Sequence, residues 1–230
     1  MHVTSEPNIL YFGTPVILIG TTNEDGSYNL APMSSAFWLG WRCVIGLAAP
    51  SQTTKNILRT GECVLNLASV NNVAAVNRLA RTTGSNPVPA GKQQKGYLYE
   101  PNKFEKAGLT PLPADLVAAP LVQECPVQLE AVLVNAHSLA AEDEVIKNRI
   151  MIIELRIVRV HIESSILVNG HANRVDPDKW KPLIMSFQKF YSVGDELQHS
   201  ILSEIPENLY RTPDIDKARV MQSTYAAMID

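Results

Sequence analysis

Residues 14–38 read TPVILIGTTNEDGSYNLAPMSSAFW, and this stretch decides the fold. Its first third is a β-branched apolar run, and Asp25-Gly26 within NEDGS is a strong hairpin signal. Residues 28–39 should therefore return antiparallel to the first strand. The returning half differs from a plain core strand, because it carries Pro32, the adjacent Ser34 and Ser35, and Trp38. Proline removes a ladder donor and belongs at an edge or irregular position, which frees nearby backbone groups. Read as one barrel strand over residues 29–39, the segment puts short hydroxyls and unpaired backbone together, an offer that suits a planar, hydrogen-bonding ligand.

Outward from this hairpin the strand signals continue. Residues 42–49, RCVIGLAA, form a third strand that is apolar on both faces, one for an interior and one for a second layer or a partner subunit. Residues 51–61, SQTTKNILRTG, read as a short helix with Ser51 as N-cap, Ile57 and Leu58 as its apolar face and Gly61 as its stop. A strand over 62–68 and a helix with Val73, Val76 and Leu79 at helical spacing follow. From about 82 to 120, prolines and glycines interrupt every periodicity, as in lids, binding loops and oligomer arms; this excursion is a candidate to reach over a partner. Strand pattern resumes at 127–137, where alternation points Glu130 outward to solvent. In residues 149–163, RIMIIELRIVRVHIE, the apolar parity changes between Ile157 and Val158, which predicts either a β-bulge or a strand that passes from one environment to another, as at a barrel corner. The expectation is a mainly β chain with helices, an antiparallel Greek-key barrel in a single domain over residues 1–230, ending in a helical tail over about 195–230.

The 230 residues are 46% hydrophobic, enough to bury a sizeable core. A net charge of −3 gives no global attraction for nucleic acid or anionic membrane, so an anion must be held locally. Cys43, Cys63 and Cys125 form no C-x-x-C pair and read as reduced core thiols, and the five histidines lack ligand spacing, so no metal is expected. The N-terminus has no signal-peptide pattern and no apolar run approaches the ~18 residues of a membrane span, so a soluble, cytoplasmic protein is expected. Trp38 and Trp41 read as packing residues, His137 and His161 as hydrogen-bonded strand histidines, and residues 141–149 as a surface turn.

At SQTTKN the first amides of the helix, the hydroxyls of Ser51, Thr53 and Thr54 and the Lys55 ammonium can converge on a phosphate. Charge-assisted hydrogen bonds contribute about 1.5–3 kcal/mol each, so a few carry most of the ~8 kcal/mol of a micromolar ligand.

The order DGSYNLAPMSSAFW, SQTTKNILRTGECVLNLAS, LARTTG and PLIMSFQKFY resembles the flavin reductase-like proteins, which bind FMN on a split β-barrel; the likeness runs from residue 10 to 194. The resemblance implies that Met33, Ser34, Ser35 and Ala36 line the isoalloxazine ring and that Thr53, Lys55 and Asn56 hold the ribityl-phosphate tail. Ser51 and Gln52 depart from a pattern in which many relatives have a lysine and an acid, so Lys55 or Arg81 would supply the missing cation. It further implies a two-fold homodimer with a flavin near each subunit junction. NAD(P)H would be a transient donor, since no G-x-G-x-x-G follows a strand. Phe187 and Tyr191 are the candidates to border that substrate cleft. FMN is the expected cofactor, with FAD open. The expected activity is NAD(P)H-dependent reduction of flavin or of a small-molecule acceptor, with a monooxygenase partner left open. The alternatives are a flavin-binding carrier without turnover and a barrel that has lost flavin.

Overall fold

Strands β1 (Ile17–Thr22) and β2 (Tyr28–Met33) pair antiparallel across the turn that holds Gly26 at φ +82°, as the Asp-Gly signal requires. The computed structural model describes residues 1–229; Asp230, the last residue of the expected tail, lies outside them. After β2 the chain runs through β3 (Ala36–Leu39), β4 (Arg42–Ala48), α1 (Gln52–Thr60), β5 (Glu62–Leu67) and α2 (Val73–Leu79). The excursion contributes α3 (Lys103–Ala107), and the long strands β6 (Val127–Ser138) and β7 (Ile150–Ile162) follow. A hairpin of β8 (Leu183–Ser186) and β9 (Lys189–Ser192) precedes the terminal helix α4 (Pro213–Ile229).

Seven strands form one sheet in the order β2-β1-β5-β6-β7-β4-β3, with every neighbouring pair antiparallel. Its two edge strands are consecutive in the chain and joined only by Ser34 and Ser35. Residues 29–39 are thus two strands, which corrects the reading of one. Pro32 lies on the edge strand, where its missing donor breaks no inner ladder, and the Ser35 carbonyl accepts from the Gly46 amide at 2.9 Å as the chain crosses to the other edge. Among the described residues no ladder connects β2 to β3, so the antiparallel sheet expected from the sequence is present and hydrogen bonds leave it open between these two edges.

The period-2 pattern assigns the faces. Ile17, Ile19, Ile45, Leu65, Ile153 and Leu155 point into one core with Ile57 of α1, while Leu18 and Leu30 on the opposite face pack under α2 and α3 with Val76, Leu79, Phe104 and Ala107. The two-faced apolar strand β1 is therefore covered on its second face by this chain's own helices. The parity change in β7 is a bulge: Glu130 opposes Arg159 and Ala131 opposes Ile157, leaving Val158 over. Val158 turns outward into a third cluster with Val64, Val117, Ala119 and Leu121, after which Val160 and Ile162 return to the inner face.

That third cluster is where the excursion lies down on its own chain. Asn66 accepts from the Val122 amide at 2.8 Å, and Glu130, fully buried, accepts from the amides of Asp115 (3.1 Å) and Leu116 (2.6 Å) and contacts His161 Nε2 at 2.7 Å. Glu130 is not solvated, contrary to the alternation argument, because residues 115–116 bring donors to the outer face and cover it. Helix α4 packs on β7 through the fully buried Ala218, and its Asp214 accepts from Arg42, which also pairs with Glu154 at 2.6 Å.

Candidate functional site

Helix α1 starts as its sequence dictates. Ser51 Oγ accepts from the Thr54 amide at 3.2 Å, and Gly61 ends the helix at φ +75°. Its inward face is mostly polar: Thr53, Thr54, Asn56 and Ile57 are buried, whereas Leu58, expected on the apolar face, is 47% exposed. The reason is a hydrogen-bond network beneath the helix. Asn56 Nδ2 donates to Thr21 Oγ1 (3.0 Å) and Asn23 Oδ1 (2.8 Å), and Asn29 Nδ2 donates to Thr53 Oγ1 (3.0 Å), so α1 is docked on the first hairpin by amides rather than by leucine. Asn29 Oδ1 is left buried without a partner beside Gly84, where an added Cβ would come within 2.5 Å of it.

The start of this helix forms one wall of a cavity of about 880 Å³. A second wall is the end of β2, Ala31, Pro32 and Met33; a third is the excursion, with Thr83, Gly84, Lys92, Lys95, Tyr97 and Lys103; Asn148 and Arg149 close one side. Among the described residues four cations line it and no carboxylate does. Lys92 Nζ donates to Thr83 Oγ1 at 3.1 Å and lies over the Tyr97 ring, 5.5 Å from its centre. Lys103 is only 3% exposed, and burial, aided by the neighbouring charge of Lys92, pushes its ammonium down to about 7.

At Pro32, Met33 and Ala80 this cavity meets a smaller one of about 220 Å³, lined also by Ser34, Ser35, Tyr11, Met185 and Phe190. Side by side, the two cavities offer an apolar floor, a hydroxyl corner and a cationic end, a combination that suits a flat ring carrying an anionic tail.

The structure brings Met33, Ser34, Ser35, Ser51 and Thr53 to these joined cavities. It places the others elsewhere. Ala36 is buried in the inner core, Thr54 is spent on the Ala48 carbonyl (2.9 Å), Asn56 lies in the network under α1, and Lys55 is exposed outside the cavity. Arg81 lines a separate cavity of about 490 Å³ with Arg78, Glu100 and Lys106. Phe187 and Tyr191 are exposed on the β8–β9 hairpin and do not line the cleft; Phe190, from the same hairpin, does. Sequence reasoning missed Lys92, Lys103 and Arg149, the last at the end of the segment taken as a surface turn. The available signal was the concentration of Lys92, Lys95, Lys103 and Lys106 in the excursion.

Asp115, Glu130 and His161 are the one group among the described residues whose potential ligand atoms gather within 4.8 Å. Their atoms are engaged in bonds that hold the excursion to the sheet, and Arg159 pairs with Asp115, opposing a cation there. His161 thus has the structural role expected of it, and His137 is exposed.

A family model described as "Flavin reductase like domain" matches residues 9–194. The uncharacterized protein YdfE of Bacillus subtilis (strain 168) is 35% identical over 199 residues, which is 86% of this chain and 93% of that protein. Among solved structures, flavoredoxin of Desulfovibrio vulgaris (Miyazaki F) is similar with TM-score 0.70 at 22% identity, covering 89% of this chain and 100% of that one. Nitrilotriacetate monooxygenase component B from Bacillus cereus is similar with TM-score 0.68 at 20% identity, covering 86% and 99%.

Proposed function

We propose, for a chain that belongs to the flavin reductase-like family, an FMN-dependent oxidoreductase that takes electrons from NADH or NADPH and passes them to free flavin or a small acceptor. The observation that carries this reading is the pair of adjoining cavities that share Pro32, Met33 and Ala80, with Ser34 and Ser35 on one and Lys92, Lys103 and Arg149 on the other. A bound flavin would supply the redox chemistry. The chain's part is to hold and expose it. Pro32 and Met33 would give it an apolar floor, Ser34 and Ser35 would offer hydroxyls to its polar edge, and the start of α1 with the excursion lysines would hold the phosphate. Tyr11 and Phe190 border the open side, where a nicotinamide would stack.

Three further points belong to this reading. The open sheet acts as a split barrel closed by its ligand-binding seam. Edge strand β3 exposes Phe37 and Leu39, at 52% and 73%, which supports a two-fold dimer. The likeness to a monooxygenase component supports delivery of reduced flavin to a partner oxygenase. Three free, buried thiols support a cytoplasmic location, and no described helix is long and apolar enough to cross a membrane.

The test is an anaerobic visible spectrum of the protein with one equivalent of FMN, before and after NADH and then NADPH. Bleaching of bound flavin is the expected result and identifies the donor. Flavin that binds and stays yellow with both would make the protein a carrier, and failure to bind FMN or FAD would end the flavin reading. Ser34→Trp should exclude the ring; undiminished FMN binding in that variant, by fluorescence quenching, would move the ring elsewhere.

A further inference from the structure

Arg78, Arg81 and Lys106 meet around the cavity of about 490 Å³ that no part of the flavin reading uses. Helix α2 ends there, and residues 82–83 pair in parallel with 98–99, so the excursion folds back along the helix end and adds Leu98, Tyr99 and Glu100 to the lining. Arg78 is fixed: its Nε donates to the Ala107 carbonyl at 3.1 Å and its Nη2 donates to the same oxygen. The Arg81 guanidinium passes over Gly96, where an added Cβ would stand 3.4 Å from Nη1. Among the described residues none of the three cations lies within ion-pair distance of a carboxylate. Glu100 is the one carboxylate on the cavity among those residues, and its Oε1 accepts from the Asn102 amide. Helix-end carbonyls repel an anion, but two of them are taken: Thr82 Oγ1 donates to that of Leu79 at 2.9 Å and the Ala80 amide to that of Asn77 at 3.2 Å. Three cations against one carboxylate leave the cavity positive.

Two features narrow what such a cavity holds. A bare anion needs no apolar surface, yet Tyr99 and Leu98 stand 44% and 72% exposed on the same lining, and an exposed aromatic face beside cations suits a base with its phosphate. Asn77 adds an amide, donor and acceptor together, that can pair with the edge of a purine. The second feature is position. Ala80 lines this cavity and both of those assigned to flavin, and Thr82 lines this one and the larger. A ligand with its ring in the flavin clefts can therefore reach past Ala80 with an anionic end. We propose that the Arg78, Arg81 and Lys106 cavity binds the adenosine phosphate of a dinucleotide. That group has two sources, the 2′-phosphoadenosine of NADPH and the adenosine phosphate of FAD. The dinucleotide rests on the flavin reading; the adenosine phosphate rests on the cavity alone. Arg81 and Lys106 then set a preference for NADPH over NADH in the first case and for FAD over FMN in the second.

The experiment is calorimetric titration of the full chain with adenosine 2′,5′-bisphosphate, a probe that carries the base and both phosphates without a redox ring. Arg81→Gln combined with Lys106→Gln, and Tyr99→Ala, are compared with the wild type; all three side chains are exposed, and Arg78, which holds Ala107, is left in place. The probe should saturate the wild type, and the double variant should weaken it by about tenfold or more. Tyr99→Ala should weaken it by about fivefold or more while sparing inorganic pyrophosphate. No saturable binding, or binding that both variants leave unchanged, overturns the proposal. Pyrophosphate that binds as well as the probe, with Tyr99→Ala silent, makes this a bare anion site and overturns it too. Initial rates with each nicotinamide and affinities for each flavin separate the sources. If the donor carries the group, the double variant erases a preference for NADPH over NADH; if the cofactor carries it, the variant erases a preference for FAD over FMN. Two unmoved ratios overturn the dinucleotide. If neither flavin binds, the flavin reading fails, and the titration with the bisphosphate judges the cavity by itself.

Discussion

Lys103, buried beside Lys92 with only partial relief from Glu100, weakens the chain. The Lys103 ammonium is depressed from 10.5 to about 7, so between those values the unfolded chain binds the proton that the folded chain lacks, and stability rises with pH through that window. Lys103→Met should therefore stabilise the ligand-free protein near neutrality by on the order of a few kcal/mol, an advantage that shrinks as the pH climbs toward the ordinary lysine range. Urea midpoints of both chains across that range check it; an advantage independent of pH would refute it. Glu130 makes the opposite case, a buried charge with its partners present. Glu130→Ala strands the amides of Asp115 and Leu116 and should cost about 2–4 kcal/mol, read by urea unfolding, and a loss below about 1 kcal/mol would mean that these two hydrogen bonds do not hold the excursion. Neither residue's state was legible in the sequence. Alternation placed Glu130 correctly on the outer face, but what covers that face comes from a segment without periodicity. Lys103 looked like any loop lysine, because its burial depends on long-range packing of Phe104 and Ala107 beneath α2.

Among the elements, the most legible were those whose signals are local. The Asp25-Gly26 turn, the Ser51 and Gly61 caps of α1 and the bulge at Val158 followed from two or three residues each, since turn geometry, capping and period-2 parity need no distant partner. Residues 29–39 were misread as one strand because a β pattern persists across a break set by the opposite edge of the sheet. Leu58 was misread because α1 docks through Asn29 and Asn56. The excursion was recognised as an excursion and no more, and its attachment can be tested. Gly20 lies under Pro120 so closely that an added Cβ would run into the Pro120 carbonyl oxygen. Gly20→Ala should cost about 1–3 kcal/mol and raise proteolytic cleavage within residues 111–122 while the sheet stays intact; limited proteolysis with mass mapping checks it, and an unchanged pattern would mean that the excursion is held by other contacts alone.

Over the whole molecule, the inner core, the outer helical layer and the excursion share single strands: β1 serves two of these clusters and β7 two. We therefore expect one cooperative unfolding transition for the chain, with near- and far-ultraviolet signals coincident; two separated transitions would divide it into domains. Helix α4 belongs to the same unit, tied by Arg42 to Asp214 and seated on Val158 by Met221 and the Gln222 side chain, which donates to the Val158 carbonyl at 2.9 Å. A chain ending at Thr212 should fold with stability lowered by about 2 kcal/mol or more, measured by thermal unfolding.

The seam at Ser34 and Ser35 has a consequence for how such a protein can change. These two residues are at once the chain's bridge between the edges of the sheet and a wall of the smaller cavity, so the two duties vary together and any alteration there is tried against both. The opposite wall is constrained over only part of its length: Phe104, Ala107 and residues 115–122 are packed or bonded into the fold, whereas residues 86–96 are largely exposed and lie outside the seven-stranded ladder, so that stretch can be lengthened, recharged or exchanged without breaking a rung. A new preference at the charged end can arrive in one step by replacing that segment, while the floor beneath the ring stays as it was.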